Sequence, residues 1–308
     1  MTTGEDGIGG RGARLEIFVC AFNRGPQLGW CLRSLERHAP GVGVTILDDL
    51  SDDPATRAVL DAAPFAVRRP DRRDPARLGG LYGNMQTAFD GARAPRVMFL
   101  QDDCQLFRAL DDDTLSEIDA AFAADVSQAV VSPTIRMGPR QARREGDFVR
   151  AGGGAWHYLP EDGAGSITAQ HYTAISILDR ARLQAAGWRF EATEGDNARQ
   201  AMRLGFAPMA HLDRPFAAQM PEVPTSRWGR ATLGSRLAAR LDGPEVRGFR
   251  DLDPAEVEAL GGGAQPPLAE DVLTPTHPRT RRPFVHKGVN ARGWTRALSK
   301  LELLLSRR

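Results

Sequence analysis

Cysteine is scarce: Cys20, Cys31 and Cys104 are the only three in 308 residues, and none are spaced CxxC. That count excludes a disulfide framework and a cysteine zinc site, and it fits a reducing compartment. Long apolar runs are missing as well, since no stretch approaches the roughly 18–20 consecutive apolar residues of a membrane span. Residues 1–14 are Gly-rich and polar and lack the apolar core of a signal peptide. The expected location is therefore the cytoplasm. Charge of one sign is absent too: 40 basic and 39 acidic residues leave a net +1, so no nucleic-acid partner is expected. Lysine is nearly missing, with only Lys287 and Lys300. The chain has no GxxxxGK[ST] loop, no HExxH and no GxSxG. Gly7 to Gly12 matches GxGxxG literally, but that motif works after a strand and at a helix start. Here it precedes the first predicted strand, and residues 1–14 are read as a flexible arm.

What is present is ordinary globular composition, 42% apolar and 26% charged, and enough length for one large α/β domain or a domain with an appendage. The first half alternates apolar runs with helical patterns. Leu15–Ala21 (LEIFVCA) predicts a strand, and a helix opens at Pro26 with Leu28, Leu32 and Leu35 at helical spacing. Strands follow at 42–47, 65–67, 96–100 and 128–132, with helices from Pro54, over 80–92 and over 111–124. This alternation implies a mainly parallel sheet with helices on both faces. Residues 137–154 are rich in Arg and Gly without periodicity and are expected to be a loop, disordered in the free state. Structure resumes with an apolar run at 172–178 and helices over 180–186 and 197–204. Residues 261–267 (GGGAQPP) have linker composition.

Polar groups gather where predicted strands end, and in open parallel sheets that edge binds ligands. The first strand ends in Ala21-Phe22-Asn23-Arg24, the second in Asp48-Asp49 with Ser51, and the fourth in Gln101-Asp102-Asp103. Asp52 and Asp111 read as turn and cap residues. Asp102 and Asp103 are different: a strongly apolar strand delivers two carboxylates to one point, which is unfavourable unless a cation offsets them. Mg²⁺ or Mn²⁺ is the natural partner and could bridge a diphosphate.

These tips resemble glycosyltransferases of family 2 with the GT-A fold. Ala21-Phe22-Asn23-Arg24 is similar to the family's T-Y-N-R turn, Cys31-Leu32-Arg33-Ser34-Leu35 to its C-L-x-S-L helix, and Leu47-Asp48-Asp49-Leu50-Ser51 to its V-D-D-G-S tip. Gly79 and Asn84 match G-x-x-x-x-N, and Gln101-Asp102-Asp103 stands where the family has D-x-D or E-D-D, with Gln in place of the first acid. Glu194-Gly195-Asp196 and Arg203-Leu204-Gly205-Phe206 resemble the acidic motif before an R-x-x-x-G helix. The resemblance covers about residues 15–210 and implies a GT-A domain over 15–220, followed by a C-terminal extension over 221–308.

Carried over residue by residue, the resemblance implies that Phe22, Asn23 and Arg24 line a nucleotide-sugar pocket, with Asn84 beside it. Asp48 or Asp49 would recognise the base, Asp102 would lie near the ribose or sugar, and Asp103 would bind Mn²⁺ or Mg²⁺. Asp196, with Glu194 second, would be the base that deprotonates an acceptor hydroxyl in an inverting displacement. The family often adds a metal-binding histidine late in the chain. His211, His277 and His286 are the candidates, and His286 is preferred. The expected activity is glycosyl transfer from a nucleotide-diphospho-sugar to a saccharide or lipid-linked acceptor. Rival readings are a sugar-phosphate nucleotidyltransferase, which would want a more glycine-rich loop than residues 21–26 offer, and an inactive sugar-nucleotide-binding scaffold. Residues 292–308 predict an amphipathic helix, with Trp294, Leu298, Leu301 and Leu305 on one face and Arg292, Arg296 and Lys300 beside them. Such a tail could pack on the domain or rest at the inner face of an anionic membrane.

Overall fold

The computed structural model describes residues 10–70, 80–138, 147–160, 167–224 and 232–305. Its centre is a nine-stranded sheet assembled from β1 (Leu15–Ala21), β2 (Gly43–Asp48), β3 (Ala66–Arg68), β4 (Arg96–Gln101), β6 (Val130–Ser132), β7 (Phe148–Gly152), β8 (Ala155–Tyr158), β9 (Ser176–Asp179) and β10 (Ala210–Leu212). A small second sheet pairs β5 (Cys104–Leu106) with β11 (Ala217–Gln219). The order across the large sheet is β3-β2-β1-β4-β9-β6-β10-β8-β7. β3, β2, β1 and β4 run parallel, as do β6 and β10, whereas β9 lies antiparallel between β4 and β6. β1 and β4 are buried along nearly their whole length because helices cover both faces, so their sequences show no polar alternation.

Helices α1 (Gly25–His38), α2 (Pro54–Asp61), α3 (Leu81–Gly91) and α4 (Asp112–Ala123) follow the strand tips of the first half. Proline sits in the first turn of α1 and α2, where its missing N–H has no helical partner to lose. Asp53 and Asp111 accept the amides of Thr56 and Thr114 as N-caps. In α1, Leu28, Leu32 and Leu35 face the sheet, in a cluster with Ile17, Val19 and Leu100. Gly25 abuts the Ala55 backbone so closely that a Cβ there would meet it at 2.6 Å. That contact sets how near the starts of α1 and α2 approach. Later come α5 (Ile167–His171), α6 (Arg180–Ala185) and α7 (Glu194–Arg203).

Three expectations need correction. The described parts of 137–154 are not an unstructured loop: β7 pairs with β8 as an edge hairpin, and Gly153 turns left-handed against the Ala120 carbonyl. Its Gly-Gly-Gly turn and polar edge strand conceal the pairing in sequence, while residues 139–146 lie outside the described set. The strand expected at 172–178 is confined to Ser176–Asp179 and runs antiparallel to its neighbours. At the N-terminus, residues 1–9 lie outside the described set, but Arg11 and Arg14 pair with Asp112 and Asp119 on α4.

Beyond residue 220 the chain forms α8 (Leu233–Asp242), α9 (Pro254–Glu258), α10 (Ala269–Val272) and α11 (Gly293–Leu305). Phe249, Leu260, Leu273 and Phe284 share a buried apolar cluster with Phe107, Ile135 and Ala218 of the sheet region. Gln105 joins the two parts: its side chain accepts from Trp30 Nε1 at 3.0 Å and the Phe249 amide at 2.9 Å, and donates to the Phe249 carbonyl. The linker-like 261–267 stretch is also held, with the Gly262 amide on Asp213 and Arg150 on the Gly263 carbonyl.

Candidate functional site

The tips of β1, β2 and β4 converge because the register places Ala21 beside Asp48 and Cys20 beside Gln101. Asn23 adopts a left-handed backbone (φ 50°), which a short amide side chain tolerates. Its Oδ1 accepts the amides of Asp52 and Asp53, and its own amide donates to Ser51 Oγ. Asn23 therefore ties the first tip to the second. Asp48 is wholly buried and accepts from Ser51 and from Arg69 Nε at 2.9 Å. Asp49 instead faces Asn84, whose Nδ2 lies 3.5 Å from its Oδ1, and Gly80, whose φ of 83° starts α3 against that carboxylate. Gly79 lies outside the described residues.

The third tip is the most charged. Asp102 accepts the Phe22 amide at 3.0 Å, and Arg24 Nη1 donates to Asp102 Oδ1 at 3.1 Å and also to Asp103 Oδ2. An internal guanidinium thus offsets the carboxylate pair. Burial still pushes the Asp102 carboxyl upward, Asp103 adds repulsion, and Arg24 and the Phe22 amide oppose the rise. Gln101, which replaces the first acid, is half-buried at the strand end.

Two late segments close over Asp103. Its carbonyl accepts the Met220 amide at 2.8 Å, and the Met220 carbonyl faces His286 Nδ1 at 3.3 Å. A carbonyl can only accept, so Nδ1 carries a proton, and in the neutral ring Nε2 presents a lone pair. That Nε2 lies 3.5 Å from Asp103 Oδ2. Burial lowers the imidazole's pKa, with Asp103 opposing, which favours the neutral ring. The 285–288 segment is fixed by the Glu222 amide on the Val285 carbonyl and the Val223 amide on the His286 carbonyl. Behind it, Glu222 meets Arg247 and Arg281 in a buried ion cluster. The other late histidines are elsewhere: His277 pairs with Glu245, and His211 lies on β10 against Phe148.

The acidic motif before α7 divides. Thr193, rather than Asp196, is the N-cap: its hydroxyl accepts the Asp196 amide, and it donates to the Asp196 carboxylate at 2.6 Å. Asp196 also pairs with Arg199 at 2.6 Å and is exposed. Glu194 is exposed, and its Oε1 accepts the Ala174 amide at 2.9 Å. Ala174 lies two residues before β9, whose first residue Ser176 pairs with Phe99 of β4, so Glu194 lies toward the end of β4 that leads into Asp102-Asp103. Tyr82 and Tyr172 stand in the same region: both phenols are pushed upward, first by burial, with Glu194 contributing. Sequence reading missed these tyrosines and the Met220 carbonyl. Only tertiary pairing could reveal the latter, because any residue type supplies a carbonyl.

Residues that could hold a divalent cation are Asp103 and His286. Asp103 Oδ1 is buried without a hydrogen-bond partner, and its other oxygen faces an imidazole lone pair. Two acceptors so placed suit a cation between them, with Arg24 competing for the same carboxylate. Among the described residues, no group of three or more His, Cys, Asp or Glu gathers at one point. A metal here would therefore take its remaining ligands from diphosphate and water, as Mg²⁺ commonly does.

Residues 16–161, just under half of the chain, match the family model of Glycosyl transferase family 2. No curated protein matches by sequence. Similar solved structures include crystal structures of S. aureus TarS: residues 1–349 (16% identity, 67% of this chain, 60% of that one, TM-score 0.46), and the same residues in complex with UDP (16%, 80% and 69%, TM-score 0.47). The longer TarS structure gives 14% identity over 80% of this chain and 42% of that one, TM-score 0.47. The chain thus spans less than two thirds of the first of these structures. Residues 16–161, which carry the polar tips of β1, β2 and β4, are thus similar to glycosyltransferases of family 2.

Proposed function

We propose that the chain transfers a glycosyl group from a nucleotide-diphospho-sugar to a hydroxyl of a saccharide or lipid-linked acceptor, with inversion and with Mn²⁺ or Mg²⁺. The observation that carries this reading is the approach of His286 Nε2 to Asp103 Oδ2 beside Asp102 and Arg24, all on the ligand-binding edge of the sheet. Phe22, Asn23 and Arg24 line the donor side. Asp49, with Asn84, is better placed than Asp48 to meet a base, because Asp48 is enclosed by Ser51 and Arg69. Asp102 stands nearest a ribose or sugar. Asp103 and His286 would hold the cation, which when bound neutralises charge on the leaving diphosphate.

Glu194 takes the acceptor proton in this reading. Its carboxylate is held by the Ala174 amide just before β9, whereas the Asp196 carboxylate is engaged by Thr193 and Arg199. One carboxylate opposite the donor, with no second nucleophile required, suits a single inverting displacement. Contact with the inner face of a membrane through the C-terminal helix belongs to the same reading.

A thermal-shift screen of nucleotide sugars, with and without Mn²⁺, tests it directly, since a ligand of the folded state raises apparent stability. The expected result is a donor whose stabilisation requires the cation and disappears in Asp103→Ala. Stabilisation by a donor that ignores both the cation and that substitution would remove the metal from the reading.

A further inference from the structure

Helices α8 and α11 pair antiparallel. Thr232 Oγ1 meets Ser299 Oγ, the Leu233 amide donates to Glu302 Oε2, and Arg292 donates to Asp242 Oδ1 at 2.8 Å at the other end. Gly234 lets them approach, because a Cβ there would collide with the Thr295 carbonyl. α11 therefore turns its polar face, Thr295, Ser299 and Glu302, toward its neighbour. Its apolar residues face outward: Trp294 is 52% exposed, Leu301 55%, and Leu304 and Leu305 65% each. Their spacing, i, i+7, i+10 and i+11, keeps them on one side of the helix. On α8, Leu233 and Leu241 are 44% and 54% exposed, with Arg236 and Arg240 exposed between them. A water-facing amphipathic helix would show the opposite orientation.

The charges on this face have one sign. The single acid on each helix turns inward, Asp242 to Arg281 and Arg292 and Glu302 to the Leu233 amide. Arg236, Arg240, Arg296 and Lys300 remain exposed. A symmetric contact with a second copy would set these cations against their own equivalents. An anionic bilayer matches both properties, since leucine and tryptophan enter the interface while arginine and lysine meet lipid phosphates. No helix among the described residues is long and apolar enough to cross a membrane, so contact would be superficial. A short turn at Gly288–Asn290 links α11 to His286, which places this face near the donor site.

We propose that α8 and α11 form a docking surface for an anionic lipid bilayer, with Trp294 and Leu301 as apolar anchors and Arg236, Arg240, Arg296 and Lys300 as the lipid-phosphate contacts. This deepens the lipid-linked side of the acceptor reading, but it stands on the surface alone. The test is co-sedimentation of the full chain with vesicles of phosphatidylcholine mixed with phosphatidylglycerol and, separately, of phosphatidylcholine alone. Variants are W294S/L301S and R236E/R240E, with folding checked by circular dichroism. The expected result is binding to the anionic vesicles that weakens on the order of tenfold in either folded variant and with added salt. Three results would overturn the proposal: no binding to anionic vesicles, equal binding to both vesicle types, or binding that neither folded variant changes. Sedimentation velocity supplies a fourth, self-association abolished by W294S/L301S, which would assign the face to a second copy. Metal-stimulated donor turnover in solution should be the same in both variants and the parent. Vesicle binding without any donor turnover would sink the transferase reading and leave the surface intact.

Discussion

His286 Nε2 lies 3.5 Å from Asp103 Oδ2, although most of the chain separates the two in sequence. The Met220 carbonyl holds the other ring nitrogen, so the neutral imidazole turns its free nitrogen to the carboxylate. The C-terminal extension thereby contributes directly to the strand tip that carries the acidic pair.

Replacing His286 with Ala should weaken Mn²⁺ stimulation of donor turnover by at least about tenfold, through loss of a ligand rather than of fold. Asp103→Ala should abolish the stimulation. Titration of activity against Mn²⁺, alongside the melting temperature of each variant, separates the two effects. A His286→Ala enzyme with an unchanged Mn²⁺ midpoint would detach the histidine from the metal.

Glu194→Gln should reduce transfer by about 10²–10⁴-fold while donor binding persists, the range for losing a general base. Asp196→Asn should remove part of a helix-terminus interaction and lower stability slightly, with little effect on transfer. Single-turnover transfer and denaturant unfolding of both variants check this. Collapse of transfer in Asp196→Asn alone would move the base to Asp196.

Acid should destabilise the fold through His211. Its Nε2 is shut away from solvent, and burial lowers its pKa to about 4, against about 6.5 when unfolded. Between those values the unfolded chain binds the proton and the folded chain does not, so stability falls as pH drops through that window. His157 and His171 shift in the same direction, also through burial. The loss attributable to His211 is on the order of 3 kcal/mol by pH 4. Urea midpoints measured from pH 7 to pH 4 should show a decline that becomes shallower in His211→Asn.

Gln105→Ala should loosen the C-terminal extension. The substitution leaves the Phe249 amide and carbonyl and the Trp30 indole without their partner, and each buried orphan costs about 1–3 kcal/mol. Limited proteolysis should then cut first within the extension, ahead of the central sheet. Unchanged cleavage would show that the apolar cluster around Phe249 and Phe284 suffices.

The converging strand tips were legible because local sequence encodes them. Apolar runs ending in Asn23, Asp48-Asp49 and Asp102-Asp103 give both the strands and the tips, and α-helical spacing of leucines gives α1. The β7–β8 hairpin was not legible, since an edge strand with exposed Val149 and Arg150 carries little apolar signal. Nor was the antiparallel course of β9, because direction depends on which neighbour a strand meets. The hydrogen bond of Glu194 was hidden for a similar reason: the Ala174 amide that it accepts lies on a distant segment.

The sequence by itself determined the fold class, the three polar tips and the family resemblance, all of which rest on short-range periodicity and on residue types within a few positions. Tertiary structure alone decided which histidine approaches Asp103, which acid before α7 bonds to the segment before β9, and that α11 presents its leucines to the outside. Those outcomes depend on contacts between distant segments, where a carbonyl at Met220 or a missing side chain at Gly234 sets the geometry without leaving a mark in the local pattern.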